Sequence, residues 1–208
     1  MIPDDMLAQL EYLLDRQQII DVIHTYARAM DRLDKELFLT TYHPDAVDDH
    51  AGFVGGREEF FDWAATMARR DREKTQHLIA NHVVEIDGDT AHAETYWMAA
   101  GLKYEGIPFF MGGGRYLDRL VKEHGNWTIR ERVLVLDWEM PAVNTREAVD
   151  SANGVALPHM SPAERTVAET RLRPSMDRND PSYDRPYRVS EERLSASREA
   201  RRQRVRAQ

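Results

Sequence analysis

Apolar residues recur at spacings of three and four between residues 5 and 33. Ile19, Ile23, Tyr26, Met30 and Leu33 form one stripe, and no proline interrupts it, which predicts an amphipathic helix. Lys35 to Tyr42 reads as a second, short helix. It stops at His43-Pro44 because the residue before a proline is pushed out of the helical region. AVDDHAGFVGG reads as a short strand entering a glycine turn. REEFFDWAATMARRDR reads as a third helix, with Phe60, Phe61, Ala64, Met67 and Ala68 on its apolar face. From Thr75 the period drops to two: Leu78, Ala80, His82, Val84 and Ile86 alternate with His77, Ile79, Asn81, Val83 and Glu85. Asp87-Gly88 is a hairpin signal. Further strands are predicted at roughly 90–104, 107–121 and 127–139, divided by Glu105-Gly106 and His124-Gly125-Asn126. They exceed the usual ~5–6 residues, so the sheet should curve strongly. Gly112-Gly113-Gly114 lies inside one strand and predicts a bulge or a close backbone approach. The run lacks the Lys-Ser/Thr ending of a phosphate loop. Helices first and a meander after them predict an α+β fold. A curved antiparallel sheet then packs against the N-terminal helices as a cone with a pocket at its mouth.

The pattern fades after Pro141. Few large apolar residues, five prolines (Pro158, Pro162, Pro174, Pro181, Pro186) and the cluster RNDPSYDRPY follow. SEERLSASREARRQRVR reads as a charged helix capped by Ser190. The chain therefore divides into a folded domain over 1–140 and an Arg-rich, partly helical extension over 141–208. The extension is too polar to fold alone and should pack on the domain or on a neighbouring subunit.

Composition narrows the functions open to such a chain. Hydrophobic content of 42% and charged content of 31% are those of a soluble globular protein, and no run approaches a membrane span. The N-terminus is acidic and amphipathic rather than signal-like, so the cytoplasm is the expected location. Zero cysteines exclude disulfides, thiolate metal sites and a cysteine nucleophile. Residues 1–140 carry 15 Lys and Arg against 26 Asp and Glu, a net of −11. Residues 141–208 carry 13 Arg against 10 acids, a net of +3. An acidic body argues against nucleic acid.

YHPDAVDDHAGFVG, TQHLIANHVVEIDGDTAHAE and GGRYLDRLVKEHGNWTIRERVLVLDWE carry a more specific signal. With the layout around them, over roughly residues 8–140, they resemble the SnoaL-like branch of the NTF2-like superfamily. Within it the chain is similar to the cofactor-independent lyases: bile-acid 7α-dehydratase, scytalone dehydratase and hexachlorocyclohexane dehydrochlorinase. Those enzymes pair an aspartate late in the first long helix with a histidine early in the second strand, and Asp31 and His77 match. Tyr26, five residues before Asp31, and Arg132, five after Trp127, match a tyrosine and an arginine of the bile-acid enzyme. The resemblance implies a lyase needing no cofactor. It would remove water from a bulky hydroxylated aromatic or polycyclic compound, or release formaldehyde from an aryl-propanediol. A non-catalytic subunit or binding protein, and an isomerase or cyclase, are the alternatives on the same scaffold. Relatives assemble as trimers or dimers, so a homo-oligomer is expected.

The chemistry of the matching residues agrees. A histidine titrates where proton abstraction near neutral pH needs it, and a carboxylate beside it orients the ring and stabilises the imidazolium. Arg132 facing the cone would steady a developing oxyanion. Arg130 and Arg132 are expected on one strand face. Asp49, His50, Trp97, Phe109, Arg115 and Tyr116 are expected to line the pocket and hold substrate. No metal site is expected, since His77 and His82, five apart on a strand, should face opposite ways. Nor is a basic cluster visible for phosphate or several carboxylates.

Overall fold

A computed structural model describes residues 3–50, 52–103, 109–140 and 191–206, with a few isolated positions between the last two. The chain divides into two compact units, Met1–Asn144 and Thr145–Gln208. The first begins with helix α1 (Asp4–Arg32) and α2 (Lys35–Leu39), followed by strands β1 (Tyr42–Asp49) and β2 (Val54–Gly56) and helix α3 (Arg57–Asp71). Four long strands complete it: β3 (Arg72–Asp87), β4 (Thr90–Lys103), β5 (Phe109–Glu123) and β6 (Asn126–Met140). The second unit contributes α4 (Glu191–Arg206), which starts on Glu191 and Glu192. Ser190, expected as its cap, lies outside the described residues.

β3 to β6 form the antiparallel meander that the turn signals predict. The sheet goes further than the meander. β1 adds beside β6 in parallel and β2 beside β1, giving one mixed sheet of order β2-β1-β6-β5-β4-β3. β1 also starts at Tyr42, so α2 ends three residues earlier than its sequence predicts.

The helices cover one face of this curved sheet. α1 buries Ile19, Ile23 and Tyr26 with Ala27 and Ala29, while its first turns leave Met6, Leu10, Leu13 and Leu14 exposed. It ends at Leu33 in the left-handed region, whose N–H reaches back to the carbonyls of Ala29 and Met30. Asp34 then caps α2 by accepting from the Leu37 N–H at 3.1 Å. Asp15 pins α1 to the far strands, accepting from Trp127 Nε1 at 2.9 Å and pairing with Lys122 at 2.8 Å. Burial opposes the Asp15 charge, but these two partners hold its carboxyl below the usual value. α3 lays Phe60, Phe61, Ala65 and Ala68 against the same core.

Two irregularities decide which side chains face the helices. Between Ile79 and His82, β3 uses three steps where β4 uses two, from Trp97 to Thr95. This bulge resets the alternation: His77, Ile79, His82 and Val84 share the inner face, and Leu78 and Val83 are exposed. The expectation that His77 and His82 face opposite ways is therefore corrected. The triple glycine gives both consequences the sequence predicts. The β5–β6 register slips between Gly113 and Gly114. A Cβ on Gly114 would lie 1.9 Å from the Val135 carbonyl oxygen, and one on Gly113 2.6 Å from the Trp138 ring.

No helix among the described residues is long and apolar enough to cross a membrane.

Candidate functional site

The last two turns of α1 lie against the start of β3, and there Asp31 meets His77. The aspartate grips the histidine twice. Its Oδ1 lies 2.6 Å from His77 Nδ1, and its Oδ2 accepts from the His77 backbone N–H at 3.0 Å. A carboxylate only accepts, so Nδ1 carries the proton and Nε2 holds the free lone pair. The double contact fixes both the ring rotamer and the tautomer. Both side chains are nearly buried, 12% and 13% exposed, yet they line an open pocket of about 300 Å³. Its other walls are His24, Ala27, Arg28 and Arg32 from α1 and Ile79 from β3. The stripe His24, Arg28, Arg32 follows the i, i+4, i+8 spacing of one helix face.

Arg132 and Tyr26 are placed elsewhere. The row of paired residues through Arg132 runs across Asp118 and Ala93 to Val84 on β3, seven positions from His77. Arg132 is fully enclosed. It donates from Nε and Nη2 to the two Asp118 oxygens, each at 2.7 Å, a bidentate pair. Its guanidinium sits between the rings of Tyr26 and Tyr116, 4.2 and 4.1 Å from their centroids. Burial works against the Arg132 charge and Asp118 overrides it, so its pKa lies well above the ordinary value. Burial also pushes the Tyr26 and Tyr42 phenols well above theirs. The expectation that Arg132 shares a pocket with His77 is corrected: a guanidinium this deep requires a buried carboxylate, and Asp118 supplies it. Arg130 does not keep its company either. A register slip between Arg119 and Leu120 leaves Arg130 as the extra residue, and its side chain reaches 3.9 Å from Asp45.

The six expected pocket residues separate by strand parity. Tyr116 faces inward, stacked on Trp97 at 5.7 Å and edge-on to Tyr26 at 5.6 Å. Trp97 is likewise buried. His50 packs on the Phe60 ring at 4.7 Å, with Nδ1 3.2 Å from Asp48. Arg115 is corrected: it neighbours Tyr116 on the strand and so projects from the other face, where it holds Asp137 through two bonds of 3.0 Å. Asp49 is corrected for the same reason. It pairs with Val133 of the outer face, while Asp48 beside Arg132 is fully buried and accepts from the Tyr42 hydroxyl. The side chain of Phe109 lies outside the described residues. Asp48, Tyr42 and Asp118 form a polar core that sequence reading missed. Asp48 was within reach of strand alternation, had its register been known.

Comparison with known proteins places this architecture. The sequence model of the SnoaL-like domain matches residues 11–133, more than half of the chain. The chain belongs to the SnoaL-like family. Among curated proteins none matches this SnoaL-like chain. Solved structures do. A variant of Rv3472, a protein of unknown function from Mycobacterium tuberculosis, is 26% identical with a TM-score of 0.55, covering 61% of this chain and 74% of that one. A scytalone dehydratase candidate from Novosphingobium aromaticivorans is 18% identical with a TM-score of 0.59, covering 64% and 90%. Hexachlorocyclohexane dehydrochlorinase LinA-type3 from Novosphingobium barchaimii is 16% identical with a TM-score of 0.60, covering 65% and 95%. The SnoaL-like unit thus has the NTF2-like α+β cone, and at these identities the likeness is one of fold.

Proposed function

We propose that this SnoaL-like protein is a cofactor-independent lyase that eliminates water from a hydroxylated ring compound. One observation supports the reading above the rest: Asp31 holds His77 by two bonds at the wall of an open pocket. His77 Nε2 takes a proton from the carbon next to a substrate carbonyl. The electron pair left behind forms the carbon–carbon double bond as the neighbouring C–OH bond breaks. The imidazolium, stabilised by Asp31, returns its proton to the departing hydroxide, so water leaves and the enzyme is restored. The base and its orienting partner both belong to the chain. The structural neighbours named for dehydration and dehydrochlorination add weight to an elimination. Release of formaldehyde from an aryl-propanediol is the variant of this chemistry that the same base would serve.

Tyr26 and Arg132 act in this reading as positioning residues. Tyr26 lies five residues before Asp31 on the same helix, and its ring rests on the Arg132 guanidinium. A phenol pushed well above its ordinary value by burial stays protonated throughout the working range.

The test is a screen of hydroxylated single-ring, diaryl and steroid ketones, following both the conjugated product and released formaldehyde. Wild type should turn over at least one compound. His77→Ala should lose about a hundredfold to ten-thousandfold in kcat, the usual contribution of a general base. Asp31→Asn should lower kcat strongly with a smaller change in KM, since the amide offers one acceptor oxygen to the two His77 donors and loses the charge that stabilises the imidazolium. Equal turnover by wild type and His77→Ala would remove His77 as the base.

A further inference from the structure

Two polar atoms on the inner face of the sheet, one on each side of His77, are buried with no hydrogen-bond partner among the described residues: Thr75 Oγ1 and Trp97 Nε1. Buried polar groups without a partner are costly and rare, so each of these calls for a partner from outside the chain. Thr75 precedes His77 by two residues with no register slip between them, so both project from one face about 7 Å apart. Trp97 pairs with Ile79, which lines the open pocket, and stands diagonally from His77 at about 7–8 Å. Directly across from His77 come Ala99 and Gly112, which project one methyl group between them. A Cβ on Gly112 would meet nothing closer than 3.5 Å. The Phe110 ring lies over Gly101, the partner of Thr75, and walls that side of the bare strip. His82 Nε2 and Arg132 Nη1 also lack partners, but they sit farther from His77, in the rows of Thr95 and Val84.

We propose that the substrate is a ring β-hydroxy ketone held over Ala99 and Gly112, with Trp97 Nε1–H on its carbonyl oxygen and the Thr75 hydroxyl on its leaving hydroxyl. This rests on the reading of His77 as the base and adds the substrate class and two residues that touch it. Four residue steps separate the rows of Thr75 and Trp97, about 13 Å at the strand rise, which suits two oxygens and not one. In a β-hydroxy ketone the two oxygens flank the carbon that loses its proton, as the two side chains flank the base. An indole N–H only donates and matches a carbonyl, whereas a hydroxyl donates and accepts and matches a hydroxyl. As His77 Nε2 takes the proton, negative charge grows on the carbonyl oxygen, and Trp97 steadies it there. The electron pair then closes the carbon–carbon double bond and expels hydroxide beside Thr75, and the imidazolium returns its proton to make water. Arg132, paired with Asp118 in another row, is not placed to serve either oxygen.

Matched probes separate the two oxygens. 3-Hydroxycyclohexanone carries both, cyclohexanone lacks the hydroxyl and cyclohexanol lacks the carbonyl. Their binding is read by calorimetry on the full chain carrying His77→Gln, which cannot turn them over. The hydroxy ketone should bind about tenfold more tightly than either single-oxygen probe, the scale of satisfying one buried donor. Adding Thr75→Val should erase the advantage over cyclohexanone alone, and adding Trp97→Phe the advantage over cyclohexanol alone. Thr75→Val should also leave Tm unchanged or raise it, since the hydroxyl it removes has no partner in the fold, and Thr75→Ser should keep the preference. Equal affinity for the three probes, no binding of the hydroxy ketone, or advantages that survive both substitutions would each overturn the proposal. Turnover of 3-hydroxycyclohexanone to the conjugated enone, followed by absorbance, distinguishes this failure from that of the lyase reading. The expected binding pattern with no enone formed by wild type sustains the two-oxygen site and refutes the lyase. Enone formation that His77→Ala abolishes but Thr75→Val and Trp97→Phe leave unchanged does the reverse. With both readings right, Trp97→Phe should lower kcat about a hundredfold to a thousandfold, the usual effect of losing one oxyanion donor.

Discussion

His82 shows how much one residue's direction matters. The bulge after Ile79 turns it inward, where its Nδ1 meets Thr95 Oγ1 at 2.8 Å and its Nε2 is buried with no protein partner. Burial, with Arg16 adding to it, lowers its pKa below the ordinary 6.5. The folded protein therefore holds this ring neutral, and the unfolded chain takes up the proton first as pH falls. The stabilisation is complete above about 6.5, is lost as pH drops from there through the folded value, and changes no further below it. His82→Gln should accordingly flatten the fall in Tm between about pH 7.5 and 5.5 relative to wild type. Parallel Tm curves for the two proteins across that range would show that His82 is not the titrating group. None of this was legible in the sequence, where His82 sits in unbroken alternation. Expecting Arg115 in the pocket alongside Tyr116, and Asp49 there while passing over Asp48, failed for a related reason. Adjacent strand residues face opposite ways, and only the register says which one enters the core.

Elements were easier to read than faces, because periodicity and turn residues are local signals. The three N-terminal helices and four long strands follow the pattern closely. The parallel join of β1 to β6 does not, because residues 42–49 and 129–133 are far apart in sequence and no local signal links them. The triple glycine is the exception, a local signal with a tertiary reason. Gly114 has no room for a side chain, because the nearest atom is backbone on β6, which cannot swing aside. Gly112 has its nearest neighbour at 3.5 Å, an ordinary contact. Gly114→Ala should then destabilise the fold by about 1–3 kcal/mol or more, and Gly112→Ala should be near neutral, both read from urea unfolding. Equal losses at the two positions would mean that strand flexibility, not the approach of β6, explains the run.

At the scale of the whole molecule the outer face of the sheet is the feature that no element among the described residues of its own unit covers. Val133, Leu117, Glu94 and Val83 are neighbours in register across four strands, and all three apolar members are exposed. A shallow groove of about 520 Å³ runs over them, edged by Glu85, Glu131 and Arg119. Contiguous apolar exposure of this kind marks contact surfaces, and the expected homo-oligomer would cover it. In such an assembly charge would give a second contribution, because residues 1–140 are net −11 and residues 141–208 net +3. The two contributions respond differently to salt: screening weakens charge attraction as the Debye length falls from about 10 Å at 0.1 M to about 3 Å at 1 M, whereas apolar contact survives. Light scattering on the eluting protein should give a mass that is a multiple of 24.1 kDa at low salt. Leu117→Asp, which places a charge in the apolar row beside Glu94, should reduce that mass to the monomer. Wild type and Leu117→Asp should differ at high salt too if the apolar row holds the copies together. A 24.1 kDa species at every concentration would leave the outer face as a solvated surface. The Arg-rich extension would then have no assembly to support.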